Sequence, residues 1–293
     1  MPPKRSMESI KSYKVANHCF SILGEQLCEA TALFEGLVPF EVSESVPRFT
    51  FSEGSLPPTL LNTQYAIHYE DVAGTFGTTT DGYQLILKPS SEPPLTLWCS
   101  HGSANIMLHG NYSLRLLRFA LWVGYGLMTL PYDTIAIHSS CIAYKDKAVL
   151  FLGESGTGKS THTRLWRQHI EGATLLNDDS PILRMENNHL WAYGSPWSGK
   201  TPCYKPERRE VAACVRLSQA PYNQVSKLTT LQAYGAIHPS CPPEFAYDND
   251  LYDMVSHIIG QILTSAPCYH LACLPDAEAA HLAFRTIFPP HGL

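Results

Sequence analysis

Charge is what this chain of 293 residues has least of: Asp, Glu, Lys and Arg together make up only 16% of it. The balance is slightly acidic, 26 Asp and Glu against 21 Lys and Arg for a formal net charge of −5, which excludes a general nucleic-acid binder. Local basic clusters remain able to meet phosphate. No apolar segment follows Met1-Pro2-Pro3-Lys4-Arg5, so no secretory signal peptide is expected. No apolar run reaches the ~20 residues that span a bilayer. The most prominent, 119–132, follows Arg115 and Arg118 and reads as a buried helix. Also missing is any C-x-x-C pair. The nine cysteines are odd in number and scattered, which reads as reduced thiols used mainly in packing. Cys203, in a polar loop, is the one expected to be reactive. These absences leave a cytoplasmic enzyme, with 44% hydrophobic residues and enough length for one large domain or two ordinary ones.

What is present is a phosphate-binding signature. Gly153-Glu154-Ser155-Gly156-Thr157-Gly158-Lys159-Ser160, followed by Thr161, fits G-x-x-x-x-G-K-[ST] without a mismatch. The apolar run 147–152 before it reads as a buried strand, and 159–170 after it as a helix with Leu165, Trp166 and Ile170 at helical spacing. Strand, glycine loop and helix form the context in which such a loop binds a nucleoside triphosphate. Gly153, Gly156 and Gly158 let the backbone approach phosphate, so that the amides of 153–161 form an anion nest backed by the helix dipole. Lys159 is expected on the β- and γ-phosphates and the Ser160 hydroxyl on Mg²⁺, with ATP as the nucleotide.

The rest of the chain divides by texture. Residues 1–111 read as a strand-rich domain, with strands at 13–23, 48–51, 63–69, 83–87, 95–99 and 106–108. His18, His68, His101 and His109 occur there singly, and no catalytic constellation is visible. Residues 112–293 read as the nucleotide-binding domain. It opens with a helix to about 129 and an alternating strand at 135–144, which turns through Lys145-Asp146-Lys147 into the glycine-loop strand as an antiparallel hairpin. Strands at 173–176, 181–185, 189–193 and 211–217 follow, then helices at 228–236 and 248–263, a strand at 268–273 and a helix at 276–287. Ordinary P-loop proteins alternate strand and helix into a parallel sheet. The fold class expected here is instead α/β with a mixed, partly antiparallel sheet.

That combination resembles the kinase domain of HPr kinase/phosphorylase, which shares its nucleotide-binding core with phosphoenolpyruvate carboxykinase. The matching residues are His138-Ser139-Ser140, the loop 153–161, Asn177-Asp178-Asp179 and Gly194-Ser195-Pro196-Trp197-Ser198-Gly199-Lys200. The resemblance covers about 112–293 and leaves the N-terminal domain unmatched. It implies that Asp179 holds Mg²⁺, usually through water, that Asp178 acts as general base toward the acceptor hydroxyl, and that His138 lies beside that base. It also makes a homo-oligomer admissible. The two carboxylate roles are interchangeable on the residues alone. Independently, 195–209 reads as a basic loop able to close over the triphosphate, with Lys200 stabilising the transferring phosphoryl group and Trp197 stacking on substrate or anchoring the loop. The expected function is an ATP- and Mg²⁺-dependent kinase acting on a hydroxyl, a serine of a protein or peptide first and a small metabolite second. A nucleotide-sensing module is the alternative from another class. No nucleic acid or membrane partner is expected.

Overall fold

The N-terminal strands form because apolar residues two apart can share one face. Phe20 and Ile22, Phe49 and Phe51, Leu85 and Leu87, Leu95 and Leu97, and Ile106 and Leu108 are each at most 2% exposed. The computed structural model describes residues 9–43, 45–199 and 201–289. Its contacts divide the chain into Met1–Met128 and Thr129–Leu293.

In the first unit the strands are β1 (Ile10–Val15), β2 (His18–Leu23), β3 (Phe49–Glu53), β4 (Asn62–Tyr69), β5 (Val72–Thr78), β6 (Gly82–Pro89), β7 (Leu95–Ser100) and β8 (Asn105–Gly110). They make one sheet in the order β1-β2-β3-β8-β7-β6-β5-β4, antiparallel except where β3 pairs in parallel with β2 and β8. Helix α1 (Glu25–Ala32) follows β2. Helix α2 (Leu114–Thr129) buries Leu116, Leu117, Ala120, Leu121 and Val123, and its Tyr125 donates a hydrogen bond to the Val15 carbonyl at 3.1 Å. The Tyr125 ring meets those of Phe20 and Phe49 edge-on. This packing draws α2 into the first unit, so the division falls between Met128 and Thr129 and not at 111/112 as expected from texture.

The second unit holds β9 (Thr134–Ala136), β10 (Ser139–Tyr144), β11 (Lys147–Leu152), α3 (Lys159–His169), β12 (Ala173–Asp179), β13 (Ile182–Glu186) and β14 (His189–Tyr193). It continues with β15 (Arg208–Gln219), β16 (Gln224–Lys227), α4 (Thr230–Ile237), α5 (Asn249–Ser265), β17 (Cys268–Cys273) and α6 (Ala277–Ile287). The strand order is β12-β10-β11-β15-β14-β13-β9, with β17 also pairing β15 and β16 pairing β17. Strands β11, β15 and β17 run parallel, whereas β10–β11, β10–β12, β13–β14 and β14–β15 are antiparallel. The chain is thus a mixed α/β protein with sheets of mixed orientation. Ala148 to Leu152 are all at most 1% exposed, as a central strand covered on both faces requires. On one face Val149, Phe151, Val215 and Leu271 pack with Leu165 and Trp166 of α3 and Ala280 and Ala283 of α6. Among the described residues no helix is long and apolar enough to cross a membrane.

Candidate functional site

The turn 153–158 joins β11 to α3. Phe151 and Trp166 fix the two elements together, their rings 5.5 Å apart, and the Trp166 indole N–H donates to His162 Nε2 at 3.1 Å. His162 is 2% exposed, and burial holds its pKa down at about 4, so it is a neutral acceptor there. The turn closes on the Glu154 carbonyl, which accepts from the Thr157 N–H at 3.2 Å and its hydroxyl at 2.8 Å. A methyl group at Gly153 would overlap that hydroxyl, and Gly158 enters the helix at φ 102°, a backbone region that favours glycine. Ser155 and Gly156 are exposed on the rim, and Thr161 sits in the first turn of α3. The start of α3 therefore offers the first-turn amides, which have no intrahelical acceptor, and the positive end of the helix dipole, a natural seat for an anion. Lys159 folds back onto this turn, its ammonium donating to the carbonyls of Gly153 at 2.8 Å and Glu154 at 3.2 Å.

The carboxylates come from β12. Its antiparallel register with β10 sets Ser140 opposite Asp178 and Ser139 opposite Asp179. Asp178 is 4% exposed and accepts the Ser160 hydroxyl at 3.0 and 3.3 Å. Asp179 points elsewhere, its Oδ1 at 3.4 Å from His138 Nδ1. His138 therefore pairs directly with Asp179, while Asp178 is near enough to act on it electrostatically. His138 occupies a break between β9 and β10, held by a hydrogen bond from its N–H to the Ser240 carbonyl at 2.7 Å. Asp179 has φ 118°, a conformation that costs a non-glycine residue about 1–3 kcal/mol and persists only where surroundings enforce it. Here an isolated β-bridge to Ser198 and a hydrogen bond from the Gly199 N–H to the Asp178 carbonyl enforce it.

Burial lowers the pKa of His138, and the Lys159 charge lowers it further against the opposing pull of Asp179 and Asp178. The ring is therefore neutral at pH 7. Burial likewise lowers the Lys159 pKa, with Asp179 opposing the shift and Arg216 adding to it.

The segment expected to be a closing basic loop is built differently. Ser195 to Ser198 are buried, with Trp197 4% exposed, so Trp197 anchors the segment and has no face to offer a ligand. The Asn177 side chain ties the segment to β12: its amide reaches Ser195 Oγ at 3.2 Å and the Trp197 carbonyl at 3.3 Å, and its oxygen accepts the Ser180 N–H at 2.9 Å. Ser198 donates to the Asp178 carbonyl at 3.1 Å. Lys205 bonds the Leu175 carbonyl at 2.7 Å, Arg208 pairs with Glu186, and Arg209 pairs with Glu207. Lys200 lies outside the described residues. Cys203 is also corrected. It is 8% exposed with its pKa raised by burial, and its thiol donates to the Leu176 carbonyl at 3.4 Å, so it is a packing residue.

Sequence reasoning missed Arg216 and Gln219. Arg216 reaches toward Glu154 at 3.5 Å, and the Gln219 amide donates to the Gly156 carbonyl at 3.1 Å. A lone arginine inside the apolar strand 211–217 was the available signal.

Among the described residues no group of three or more His, Cys, Asp or Glu forms a metal cage. The oxygen donors of Ser160 and Asp178, which meet at 3.0 Å, suit Mg²⁺, which is commonly held by one or two carboxylates together with substrate phosphates.

No family model matches the chain, and no curated protein is similar to it in sequence. Among solved structures, the Hpr(Ser) kinase/phosphatase from Coxiella burnetii is similar over 32% of this chain and 72% of its own, at 20% identity and a TM-score of 0.23. A likeness of that degree carries no argument about what this chain does.

Proposed function

We propose that this protein is an ATP- and Mg²⁺-dependent phosphotransferase that moves the γ-phosphoryl group to a hydroxyl, with a serine of a protein or peptide as acceptor. The observation that carries the reading is the meeting of Ser160 and Asp178 at 3.0 Å, at the mouth of a glycine turn that also presents Lys159 and a helix start. Phosphoryl transfer is chiefly positioning and charge stabilisation, and these are the parts it needs. The amides of 153–161 would cradle the phosphates, and Lys159 would swing from the Gly153 carbonyl onto them. Arg216 would add charge from the opposite flank. Bound Mg²⁺ would neutralise the charge building on the phosphates, held by Ser160 and Asp178.

The neighbours of the two carboxylates favour the reverse of the roles drawn from the resemblance. Asp178 already engages the serine expected on the metal. Asp179, paired with a neutral His138, is the group suited to receive a proton. The acceptor oxygen would bond to the γ-phosphorus as the bond to the β,γ-bridging oxygen breaks. ADP leaves, and the hydroxyl proton passes to the Asp179–His138 pair. Such general-base assistance is worth about 10²–10⁴-fold.

The test is incubation of the purified protein with γ-labelled ATP and a desalted extract of its host, with and without the small-molecule fraction, using Lys159→Ala as control. Label in a polypeptide that depends on Lys159 supports the reading. Label confined to small molecules replaces the acceptor class with a metabolite. No transfer to either fraction contradicts the phosphotransferase and leaves a nucleotide-sensing module.

A further inference from the structure

A cleft of about 450 Å³ opens beside the glycine turn, between 154–157 on one side and Arg216, Ser218, Gln219 and His270 on the other. It lies past the carboxyl end of β11 and along the last residues of the parallel strand β15, with His270 contributed from within β17. The crevice beyond the carboxyl ends of parallel strands is where open α/β sheets take their ligands, and the volume falls in the ~300–1,000 Å³ range of small-molecule sites. None of these four side chains has a part in the metal or proton chemistry proposed above, apart from the Arg216 charge.

Direction decides what the cleft can hold. From β11 the sheet runs one way to β10 and β12, which carry His138, Asp178 and Asp179, and the other way to β15 and β17. A nucleoside triphosphate is a linear molecule with its γ-phosphate at one end and its nucleoside at the other. With the γ end at Asp178 and the chain of phosphates along the turn, the nucleoside end falls on the β15–β17 side. Arg216 stands at the junction, and its charge reaches Lys159. The groups beyond it suit a base and sugar. Ser218 Oγ and His270 Nε2 hold each other at 2.9 Å, which fixes the imidazole, a flat ring on which a base can stack. The Gln219 amide nitrogen is engaged by the Gly156 carbonyl, and its oxygen can accept from an exocyclic amine.

We propose that this cleft is a nucleoside subsite, seating the base and ribose of the nucleotide whose phosphates rest on 153–161. The inference rests on the nucleotide-binding reading above and assigns the end of the ligand that reading leaves unplaced. His270 and Gln219 are its recognition residues.

The test compares MgATP with magnesium tripolyphosphate, which has the phosphates and no nucleoside, by titration calorimetry. The wild type, His270→Ala, Gln219→Trp and Lys159→Ala are titrated with both ligands. The tryptophan fills the cleft from an exposed strand end, so it does not depend on removing a packed side chain. The expected result is a loss of about tenfold or more in MgATP affinity for both cleft variants, with tripolyphosphate affinity unchanged in His270→Ala and lowered less than that of MgATP in Gln219→Trp, which also gives up the bond to the Gly156 carbonyl, while Lys159→Ala weakens both ligands. If Lys159→Ala weakens both and the cleft variants leave MgATP untouched, or weaken both ligands alike, the subsite is wrong and the phosphate site stands. If Lys159→Ala changes neither affinity, the nucleotide reading itself falls and the subsite falls with it.

Discussion

Replacing Glu244 by glutamine isolates one buried carboxyl whose ionisation works against folding. Glu244 sits in the 3₁₀ turn Pro243–Phe245, just after the Ser240 carbonyl that holds the backbone of His138. It is 3% exposed, its Oε2 has no hydrogen-bond partner among the described residues, and burial raises its pKa from the ordinary 4.5 to about 7. Between those values the folded protein keeps the proton that the unfolded chain has released. Its contribution to stability is complete below pH 4.5 and is lost as the pH rises through 7. A gap of 2.5 pH units at ~1.4 kcal/mol each amounts to about 3 kcal/mol. His162 has the opposite sign. Its pKa falls from 6.5 to about 4, so its contribution is present above 6.5 and is lost as the pH falls through 4. From pH 4.5 to 6.5 the two slopes oppose each other in the wild type and nearly cancel. The measurement is urea denaturation followed by tryptophan fluorescence at half-unit steps from pH 4.5 to 8, on wild type and Glu244→Gln. Differencing the two removes any pH-independent cost of the amide. The variant should gain about 3 kcal/mol on the wild type across that range and should show the positive His162 slope at its acid end. A difference that stays flat with pH would refute the burial argument.

Three further outcomes test the site's construction. A methyl group at residue 194 would overlap the Lys205 carbonyl, so Gly194→Ala should cost ~1–3 kcal/mol through displacement of the segment that crosses β12, read as a lowered urea midpoint. An alkylating reagent at pH 7.5 should modify the half-buried Cys19 and Cys273 before Cys203, and rapid labelling of Cys203 in peptide mapping would overturn its buried assignment. Because the His138 pKa lies below the usual 6.5, transfer should hold steady down to that pH and fall only on the acid side of it. His138→Ala should shift that acid limb, and an unchanged profile would remove the imidazole from the proton path.

Local patterns were legible in the sequence, and long-range pairings were not. Strand β17 falls at 268–273 as expected, and the β10–β11 hairpin and the β13–β14 hairpin both form. The stretch 13–23 reads as one strand because its turn carries no glycine. Ala16 and Asn17 take positive φ, 45° and 62°, and fold it into the β1–β2 hairpin. The interruption of 135–144 at His138 is equally silent in sequence, because its cause is distant: Ile137 bonds Pro181 and His138 bonds Ser240. The site shows the same divide. The glycine turn, the two carboxylates and His138 are local motifs and were readable. Their pairing was not, since the register of β10 on β12 decides which carboxylate meets His138 and which meets Ser160. Arg216 and Gln219 reach the turn only through the parallel pairing of β15 with β11, two strands far apart in the chain. The basic composition of 195–209 misled for a related reason. Among its described residues, Lys205, Arg208 and Arg209 are spent on Leu175, Glu186 and Glu207, and the buried amide of Asn177 fixes its course.

The measurement closest to the central claim is phosphoryl transfer by Asp179→Asn, made on the same sample in which its MgATP affinity is determined. The account predicts affinity within about threefold of wild type, because the phosphate cradle and the Ser160–Asp178 contact are untouched, and a transfer rate lower by about 10²–10⁴-fold. Wild-type turnover in that variant would contradict the proton-accepting role of the Asp179–His138 pair and, with it, the proposed division of labour between the two carboxylates.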